Sequence, residues 1–298
     1  MKNNQKIIFG ILGILLLINV LAWVEIYNIN QNQLLKVSFF DIGQGDSIFI
    51  ETPERHQILI DGGPGSTILG KLAKEMPFYD RSIDMIILTH PEHDHMAGLI
   101  KVLKRYKINY ILWTGIIRDT GEFKEWQRLI QEGGAEIKIA QAGQRIKAGE
   151  VYLDIIYPFD NLEGREHKNV NNTSIISRLV FRENSFLFTG DVFKSVEREL
   201  VDKGAALDSD ILKVGHHGSK TSSSQEFIRA VSPEIAVIQC GKDNRYGHPN
   251  SETLETLAGL GINILRTDKD GDIKVISNGF ENKIFITASP NRAQTLRF

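Results

Sequence analysis

The amino-acid sequence predicts an α+β fold in which two mixed sheets pack face to face, with helices outside and a transmembrane helix at the N-terminus. From Val37 onward, apolar runs of strand length alternate with helix-like segments, and both halves of the chain show this alternation. A long apolar run precedes them. Because sheets and amphipathic helices bury their apolar faces against another layer, two such halves favour a layered sandwich. We therefore expect residues 1–36 to be an anchor and tether, and residues 37–298 to be one folded domain.

The N-terminal apolar run extends from Ile7 to Val24, follows two lysines and contains one strongly polar residue, Asn19. At about 1.5 Å per helical residue it reaches roughly 27 Å, close to the thickness of a bilayer core. Trp23 and Tyr27 suit the interface at its far end.

A cleaved signal peptide is the alternative to a membrane anchor. The run is long for such a peptide, and no clear cleavage site of small residues follows it, so we favour an uncleaved signal anchor. Positive charge on the short N-terminal flank keeps that end in the cytoplasm. The sequence thus predicts a single-pass membrane protein with an extracytoplasmic domain.

Apolar runs bounded by turn residues predict the strands, and apolar residues three and four apart predict the helices. In the first half, we expect two strands in KVSFFDIGQGDSIFIE, strands in HQILIDGG and SIDMIILTH, a helix in HMAGLIKVLKRY, a strand in INYILWTG and a helix in EFKEWQRLIQEGG. In the second half, we expect a hairpin in NTSIISRLVFRENSFLFTGD, a helix in VFKSVERELVDKG, a strand in SDILKVGHHGS, a helix in SQEFIRAVS, a strand in EIAVIQCG, a helix with a serine cap in SETLETLAGLG and three strands in the segment 263–288.

Composition limits the possible functions. The 298 residues include 35 Lys and Arg against 37 Asp and Glu, for a net charge of −2, which argues against a strongly basic nucleic-acid binder. Cys240 is the single cysteine, so there is no internal disulfide framework and no cysteine cluster for a metal. Any metal must be held by nitrogen and oxygen atoms.

Polar residues stand at the ends of predicted strands, where α/β scaffolds usually build their sites. They are Asp41, Asp61, His90 to His95, Asp191, His216, His217 and His248.

The segment THPEHDH carries the strongest signal for a metal. His90, Glu92 and Asp94 alternate, so in an extended loop their side chains can point the same way, and His95 then opens a helix. Imidazole and carboxylate groups suit zinc, manganese or iron. Asp94 could instead cap the helix, but capping leaves the three histidines unexplained. His93 could also replace Glu92 through a one-residue shift.

Later motifs add further candidates. FTGD ends a strand with Asp191, which could also serve as a helix cap. VGHHGS ends another strand with His216 and His217; one of them could be a buried structural histidine, but two in tandem beside a glycine favour an exposed, flexible loop. NRYGHP adds Arg245 and His248 as candidates for substrate contact.

The series DIGQGDS, LIDGG, THPEHDH, FTGD, LKVGHHGS and YGHP resembles the metallo-β-lactamase fold. More narrowly, it is similar to the C-terminal nuclease-like domain of ComEC-type DNA-internalisation (competence) proteins, from about Val37 to Ile286. The resemblance implies a four-layer αββα sandwich, a hydrolase domain over residues 37–298, and two divalent metal ions at the sheet edges.

The resemblance also implies roles for individual residues. His90 and Glu92, with a group in or beyond HHGS (His216 or His217), hold one metal; Asp94 and His95 hold the other, and Asp191 bridges both. Asp94 and Asp191 are accordingly the expected catalytic residues.

The sequence departs from the fold's usual pattern in two places. Glu92 stands where a histidine is usual, and the histidine expected before FTGD is missing, with Asn171, Asn172 and Ser174 in that region. More oxygen ligands favour manganese or magnesium over a site made purely of histidines, and zinc remains an option.

The expected chemistry is metal-assisted hydrolysis of a phosphodiester. Lys213, Ser219, Arg245 and His248 are the expected substrate-binding residues, and the hydroxyl groups of SKTSSSQEF offer a phosphate site before a helix. We expect DNA as substrate, in competence and DNA uptake. One apolar segment cannot form a channel, so uptake requires a separate channel protein.

Two alternatives remain open. One is a phosphodiesterase acting on a teichoic-acid or phosphocholine ester. A choline substrate would need an aromatic cage, for which Trp113, Trp126 and Tyr246 are candidates, although the sequence does not bring them together. The other is a binding module that has lost efficient catalysis.

Overall fold

A computed structural model describes residues 2–31 and 34–287, with side-chain environments for residues 5–24 and 34–287. The helices are α1 Lys2–Gln31, α2 Thr67–Glu75, α3 His93–Leu103, α4 Gly121–Glu132, α5 Lys194–Asp202, α6 Gln225–Val231, α7 Ser251–Gly259 and α8 Thr267–Asp270. The strands are β1 Leu35–Phe39, β2 Ile48–Glu51, β3 Gln57–Ile60, β4 Ser82–Ile87, β5 Lys107–Trp113, β6 Glu136–Ile139, β7 Arg145–Ala148, β8 Val151–Tyr157, β9 Ile176–Phe181, β10 Asn184–Phe188, β11 Ile211–Lys213, β12 Ile235–Ile238, β13 Asn263–Arg266, β14 Ile273–Ser277 and β15 Asn282–Ile286.

Two sheets form the centre of the fold, and the predicted αββα sandwich is confirmed. One sheet has eight strands in the order β15-β14-β1-β2-β3-β4-β5-β6, and the other has seven in the order β13-β12-β11-β10-β9-β8-β7. A buried apolar cluster joins their facing sides, with Phe39 of one sheet and Phe188 of the other 6.2 Å apart between ring centroids. A second cluster packs α2, α3 and α4 on the first sheet, and a third packs α5, α6 and α7 on the second.

Strand direction brings the polar segments together. β3 to β6 run parallel in the first sheet, and β10 to β13 run parallel in the second. The carboxyl ends of such strands meet at one edge of a sheet, which is where ligands bind in open α/β sheets. Asp61 follows β3, His90 follows β4, and Asp191 follows β10, so three predicted site segments share one end of the sandwich.

Some elements differ from the sequence predictions. α2, β6, β7 and β8 were not anticipated; β6 and β7 are mostly exposed and lack the apolar run that marks a buried strand. The strands β14 and β15 return to the first sheet, where β14 pairs antiparallel with β1, instead of extending the second. The cap of α7 is Asn250, whose side chain accepts the Glu252 N–H, and not Ser251 as expected.

The N-terminal helix α1 contains a stretch from Gln5 to Val24 that is long and apolar enough to cross a membrane, with a mean hydropathy of 2.7. None of this stretch is buried against the rest of the chain. The sheet begins at Leu35, two residues before the predicted start of the domain.

Two glycine contacts set the position of α3. A side chain on Gly98 would collide with the Gly62 carbonyl, so α3 can lie directly against the turn after β3. Gly45 has a φ of +135° and lies against the Asp94 carbonyl, which also accepts the Asp46 N–H at 3.2 Å. Each contact is possible only because glycine has no Cβ. Together they bring the loops after β1 and β3 against α3.

Candidate metal centre

His95, in the first turn of α3, is fixed by a buried carboxylate. Its Nδ1 lies 2.7 Å from Asp61 Oδ2, and Asp61 also accepts the Thr89 N–H at 2.8 Å and the Thr89 hydroxyl at 2.6 Å. Asp61 itself has a φ of +56°, an uncommon conformation for a residue other than glycine. Burial would lower the pKa of His95, but Asp191 and Asp61 beside it raise that pKa well above its usual value. The contact with Asp61 turns His95 Nε2 toward the centre of the site.

Asp191, directly after the β10 strand and its Thr-Gly turn, is the central carboxylate. Its Oδ2 lies 3.3 Å from His95 Nε2, 3.3 Å from His217 Nε2 and 3.9 Å from His216 Nε2. Its backbone N–H donates to the Ser174 hydroxyl at 3.1 Å. Burial opposes its ionisation, but His217 and His95 hold the pKa of Asp191 well below its usual value.

His217 is buried, contrary to the exposed loop expected for the tandem histidines. It is 1% exposed, and its Nδ1 lies 2.9 Å from the Gln239 carbonyl oxygen and 3.2 Å from Asp46 Oδ1. Its Nε2 lies 3.3 Å from Asp94 Oδ2. Both His216 and His217 have a positive φ, 49° and 55°, and such conformations are found where the surrounding structure enforces them, often at functional sites.

Several nitrogen and oxygen atoms of the site converge. Among the described residues, donor atoms within 4.8 Å of one another form four overlapping groups. The groups are His90, His95 and Asp191; Asp94, His95 and His217; Asp46, Asp191 and His217; and Asp46, Asp61 and His95. Asp191 and His217 each belong to two of these groups, and His95 belongs to three, so the groups form one continuous cluster.

The donor chemistry of this cluster fits a divalent metal ion. The Nε2 atoms of His90, His95 and His217 and Oδ1 of Asp191 are buried without a hydrogen-bond partner. Buried polar atoms are normally satisfied, and imidazole nitrogen with carboxylate oxygen is a common ligand set for zinc and manganese. Burial, with His95 next to it, lowers the pKa of His90 to about 3, which leaves its imidazole neutral and able to donate a lone pair.

Glu92 lies apart from these converging groups. Its carboxylate pairs with the Arg118 guanidinium at 2.6 Å, and it is absent from all four donor groups formed by the described residues. His93 is not in the ligand position either, since its Nδ1 lies 3.1 Å from Glu122 at an exposed position. The metal role that the resemblance implied for Glu92 is therefore not supported by its contacts.

The cleft above the cluster has a volume of about 150 Å³. Its lining residues are Gln44, Glu92, Asp94, Asn171, Asp191, His216, His217, Tyr246 and His248. Asn171 occupies the region where the fold usually has a histidine, and its Nδ2 lies 3.4 Å from His216 Nε2. Burial and the nearby charges of His217 and His216 lower the pKa of His248 to about 4, so this imidazole is neutral at pH 7.

The four predicted substrate-binding residues have different surroundings. Lys213 is 1% exposed and forms an ion pair with the Asp46 carboxylate, so direct contact with a substrate does not fit its position. Ser219 is also buried, with its hydroxyl 2.9 Å from that of Thr221. Arg245 is exposed, and its guanidinium lies 5.0 Å from the Tyr246 ring centroid. His248 lines the cleft.

Two expected substrate features are wrong. Trp113 at the end of β5 and Trp126 on α4 are both buried in the core between sheet and helix, so they cannot form a cage with the exposed Tyr246. The N–H groups of Ser223 and Ser224 before α6 already donate to the Glu197 carboxylate, at 2.5 and 2.8 Å. That carboxylate occupies the position proposed for a phosphate.

Sequence reasoning missed one central residue. Asp46 contacts both Lys213 and His217, whereas Asp41, the carboxylate named from the same motif, accepts the Gly43 N–H in its own turn. Burial would raise the pKa of Asp46, but Lys213 and His217 lower it. The sequence feature that could have identified Asp46 is its position just before the apolar residues of β2, at the same sheet edge as Asp61.

Comparison with known proteins gives one family. Residues 40–242 match the profile of the metallo-beta-lactamase superfamily. Among curated proteins, ComE operon protein 3 of Bacillus subtilis is 32% identical over 257 residues, and competence protein ComA of Neisseria gonorrhoeae is 33% identical over 241 residues. Each match covers 80% of this chain but only 32% of the relative. The matched region is thus about a third of the length of these relatives.

Solved structures share the fold at lower identity. The metallo-β-lactamase fold protein YhfI from Bacillus subtilis aligns with a TM-score of 0.52 at 13% identity, over 78% of this chain and 96% of that one. Igni18, a metallo hydrolase from Ignicoccus hospitalis, aligns with a TM-score of 0.51 at 15% identity, over 81% of this chain and 98% of that one.

Proposed function

Because this chain belongs to the metallo-β-lactamase superfamily, whose members are generally metal-dependent hydrolases, we propose that it is a ComEC-like phosphodiesterase that cleaves DNA outside the cytoplasm. The observation that carries the proposal is the buried cluster around Asp191, in a chain whose relatives include proteins named for competence.

Two divalent ions, manganese, zinc or magnesium, are assigned to this cluster. Asp94, His95 and His217 would hold one ion and His90 the other, and Asp191 lies close to both sets of donor atoms. The convergence of these donor atoms supports the assignment, and it favours His217 over the more distant His216. Such ions would supply Lewis acidity: they would polarise the phosphate and lower the pKa of water, so that hydroxide is available as the nucleophile near pH 7.

The residues behind the ligands keep them in place. Asp61 holds His95 by its Nδ1, and the Gln239 carbonyl oxygen holds His217 by its Nδ1, so in both rings Nε2 faces the cluster. Such outer contacts fix ring orientation and tautomer. The ion pair between Asp46 and Lys213 balances charge directly behind His217.

The residues on the open side of the cleft are proposed to bind the substrate. The exposed Arg245 guanidinium suits a phosphate oxygen. The Tyr246 ring, 55% exposed, offers a face on which a nucleic-acid base can stack. His248, neutral at pH 7, can hydrogen-bond a phosphate oxygen or the leaving group. Lys220 and Lys242 are exposed in the neighbouring loops and add positive charge.

A second substrate class is favoured by the size of the cleft. About 150 Å³ admits one phosphoester group but not a folded polymer, and the formal net charge of −2 gives the chain no overall positive charge to attract DNA. A cell-wall phosphodiester, such as a teichoic acid, is therefore the alternative substrate. A catalytically weak binding module is the remaining alternative, and it predicts less than one metal per chain.

The membrane context is part of the proposal. Residues 1–36 would hold residues 37–298 to the outer side of the membrane through Ile7 to Val24, and a separate channel protein would carry the DNA. The apolar character of α1 and the competence names of the relatives support this arrangement.

The test is a cleavage assay with the full-length chain in nanodiscs. Labelled single-stranded DNA, double-stranded DNA and a simple phosphodiester are each supplied with manganese, magnesium or zinc, and Asp94→Ala is the control. We expect metal-dependent cleavage of DNA that the variant lacks. Hydrolysis of the simple phosphodiester without DNA cleavage would favour the cell-wall substrate over DNA. Equal DNA cleavage by Asp94→Ala and the unsubstituted chain would show that this cluster is not the active site.

A further inference from the structure

Three exposed aromatic residues lie at the end of the domain opposite the metal centre. We propose that this aromatic patch, Phe78, Tyr79 and Phe280, inserts into the interfacial layer of the same bilayer that holds α1. The inference rests on the proposed membrane anchoring. It adds a second contact with the membrane and therefore a defined orientation of the domain.

Exposure sets these residues apart. Phe78 is 86% exposed, Tyr79 73% and Phe280 53%, and among the Phe, Tyr and Trp residues of the range 34–287 the only other one that is more than half exposed is Tyr246, at 55%. Phe78 and Tyr79 contact each other edge to face, with centroids 5.4 Å apart. Phe280 is at the same end of the sheet but several strands away from this pair, since β14 and β4 are separated by β1, β2 and β3. Exposed apolar surface of this kind marks a site that binds a partner.

Strand register places all three at one end. β1 begins at Leu35, which pairs with Ser277, so the β14–β15 turn that carries Phe280 lies beside the start of β1. Phe78 and Tyr79 lie in the loop before β4, and the start of β4 is at the same end because β1 and β3 run in one direction and β3 and β4 are parallel. Lys36 and Tyr79 line one surface hollow, which places the loop before β4 close to the first strand.

The metal centre is at the other end of the same strands. His90 follows the end of β4, eight residues after Ser82, and at about 3.3 Å per residue this separates the two ends by roughly 26 Å. Docking of the aromatic patch would therefore turn the cleft away from the bilayer, toward substrate arriving from outside.

The tether is short enough to keep this end near the membrane. α1 continues for seven residues beyond Val24 to Gln31, and Leu35 is four residues further on. With about 1.5 Å per helical residue and up to about 3.5 Å per extended residue, Leu35 stays within roughly 25 Å of the apolar end of the span. Tyrosine is enriched at the membrane–water interface, and buried phenylalanine strengthens interfacial binding. The bilayer is thus the surface that this patch reaches first.

The experiment measures how deeply the patch enters lipid, with the full chain in nanodiscs. Phe78→Cys carries an environment-sensitive fluorophore, and nanodiscs contain lipids with nitroxide quenchers near the headgroup. The matched control is Asp119→Cys, whose side chain is 87% exposed in the loop after β5, at the metal-centre end. Cys240 is buried, and the unsubstituted chain shows its background labelling.

We expect at least threefold stronger lipid quenching at position 78 than at position 119. Adding Tyr79→Ser and Phe280→Ser should lower quenching at position 78 toward the control value, while α1 keeps the chain in the nanodisc. Equal quenching at both positions in a chain that remains in the nanodisc would overturn the proposal. So would protection of position 78 from a water-soluble quencher without lipid quenching, since that result identifies a protein partner or second copy as the occupant. A chain that does not enter nanodiscs would refute the anchor itself.

Discussion

The cleft has two walls that are built in different ways. The inner wall consists of Asp191 and His217, which line the cleft, and of Asp46, Asp61 and His95, which are buried behind them; each of these residues contacts at least one other charged or polar group. The outer wall, formed by Glu92, Asn171, His216, Tyr246 and His248, is partly or mostly exposed and lies on loops.

The difference indicates a division of roles. Buried charges are tolerated only when they are paired and hydrogen-bonded, so the inner wall has little freedom to change. Loop residues at the surface change at small cost in stability. We therefore expect the inner wall to set metal binding and stability, and the outer wall to set which substrate is bound.

The largest expected effect comes from Asp94, which lies where the two walls meet. Asp94→Ala should abolish hydrolysis and lower the metal content, because it removes a carboxylate 3.3 Å from His217 Nε2. Its side chain is 29% exposed, so the fold should remain intact. Activity, metal analysis and circular dichroism check this, with the exposed Asp202→Ala as control. Full activity in Asp94→Ala would show that Asp94 is not a metal ligand and is not needed for hydrolysis.

The next effect concerns stability. Lys213→Met leaves the Asp46 carboxylate buried without its cationic partner, and we expect a loss of about 3–5 kcal/mol in the free energy of unfolding. Urea denaturation measures it, and Lys220→Met, at an exposed lysine, should change stability by less than about 0.5 kcal/mol. Adding Asp46→Asn to Lys213→Met should recover part of the loss. Equal stability of the two lysine variants would contradict the buried ion pair.

An intermediate effect is expected from Asp61. Asp61→Asn keeps the size of the side chain but weakens its hold on His95 Nδ1, so metal affinity should fall by roughly 10- to 100-fold. Competition with a chelator measures the affinity. Unchanged affinity would mean that the inner wall does not orient His95.

The smallest effect is expected in the outer wall. Glu92→Gln removes the charge that faces Arg118, and a partly exposed pair of this kind contributes at most about 1 kcal/mol. Metal content should stay at the wild-type value, while KM for a charged substrate changes by a few fold. Loss of one metal per chain would instead make Glu92 a ligand, as the family resemblance implies.

The sequence predicted the parts of the molecule that depend on local pattern. β4, β10 and β11 are buried apolar runs followed at once by polar groups, so the position of His90 and Asp191 at strand ends followed from the sequence. The helices α3 to α7 were predicted from the spacing of their apolar residues and, for some, from a glycine that follows the last turn. The series of motifs from DIGQGDS to YGHP also predicted the αββα sandwich without any knowledge of side-chain contacts.

The remaining features depend on contacts between distant residues. The return of β14 to β1 joins residues more than two hundred positions apart, and no local pattern specifies it. Lys213 looked available to substrate because a lysine beside a site motif is usually exposed; only its contact with Asp46 explains its burial. The pairing of Glu92 with Arg118 likewise links two loops that are independent in sequence.

The central claim is that the buried cluster around Asp191 holds divalent metal, and metal analysis tests it most directly. The full-length chain and Asp191→Asn are expressed with manganese, zinc and magnesium in the medium, purified without chelators and measured by mass spectrometry for metal per chain. The account predicts about two ions per wild-type chain and a clear loss in the variant, with both proteins folded. Less than one ion per wild-type chain, or equal content in the variant, would contradict it.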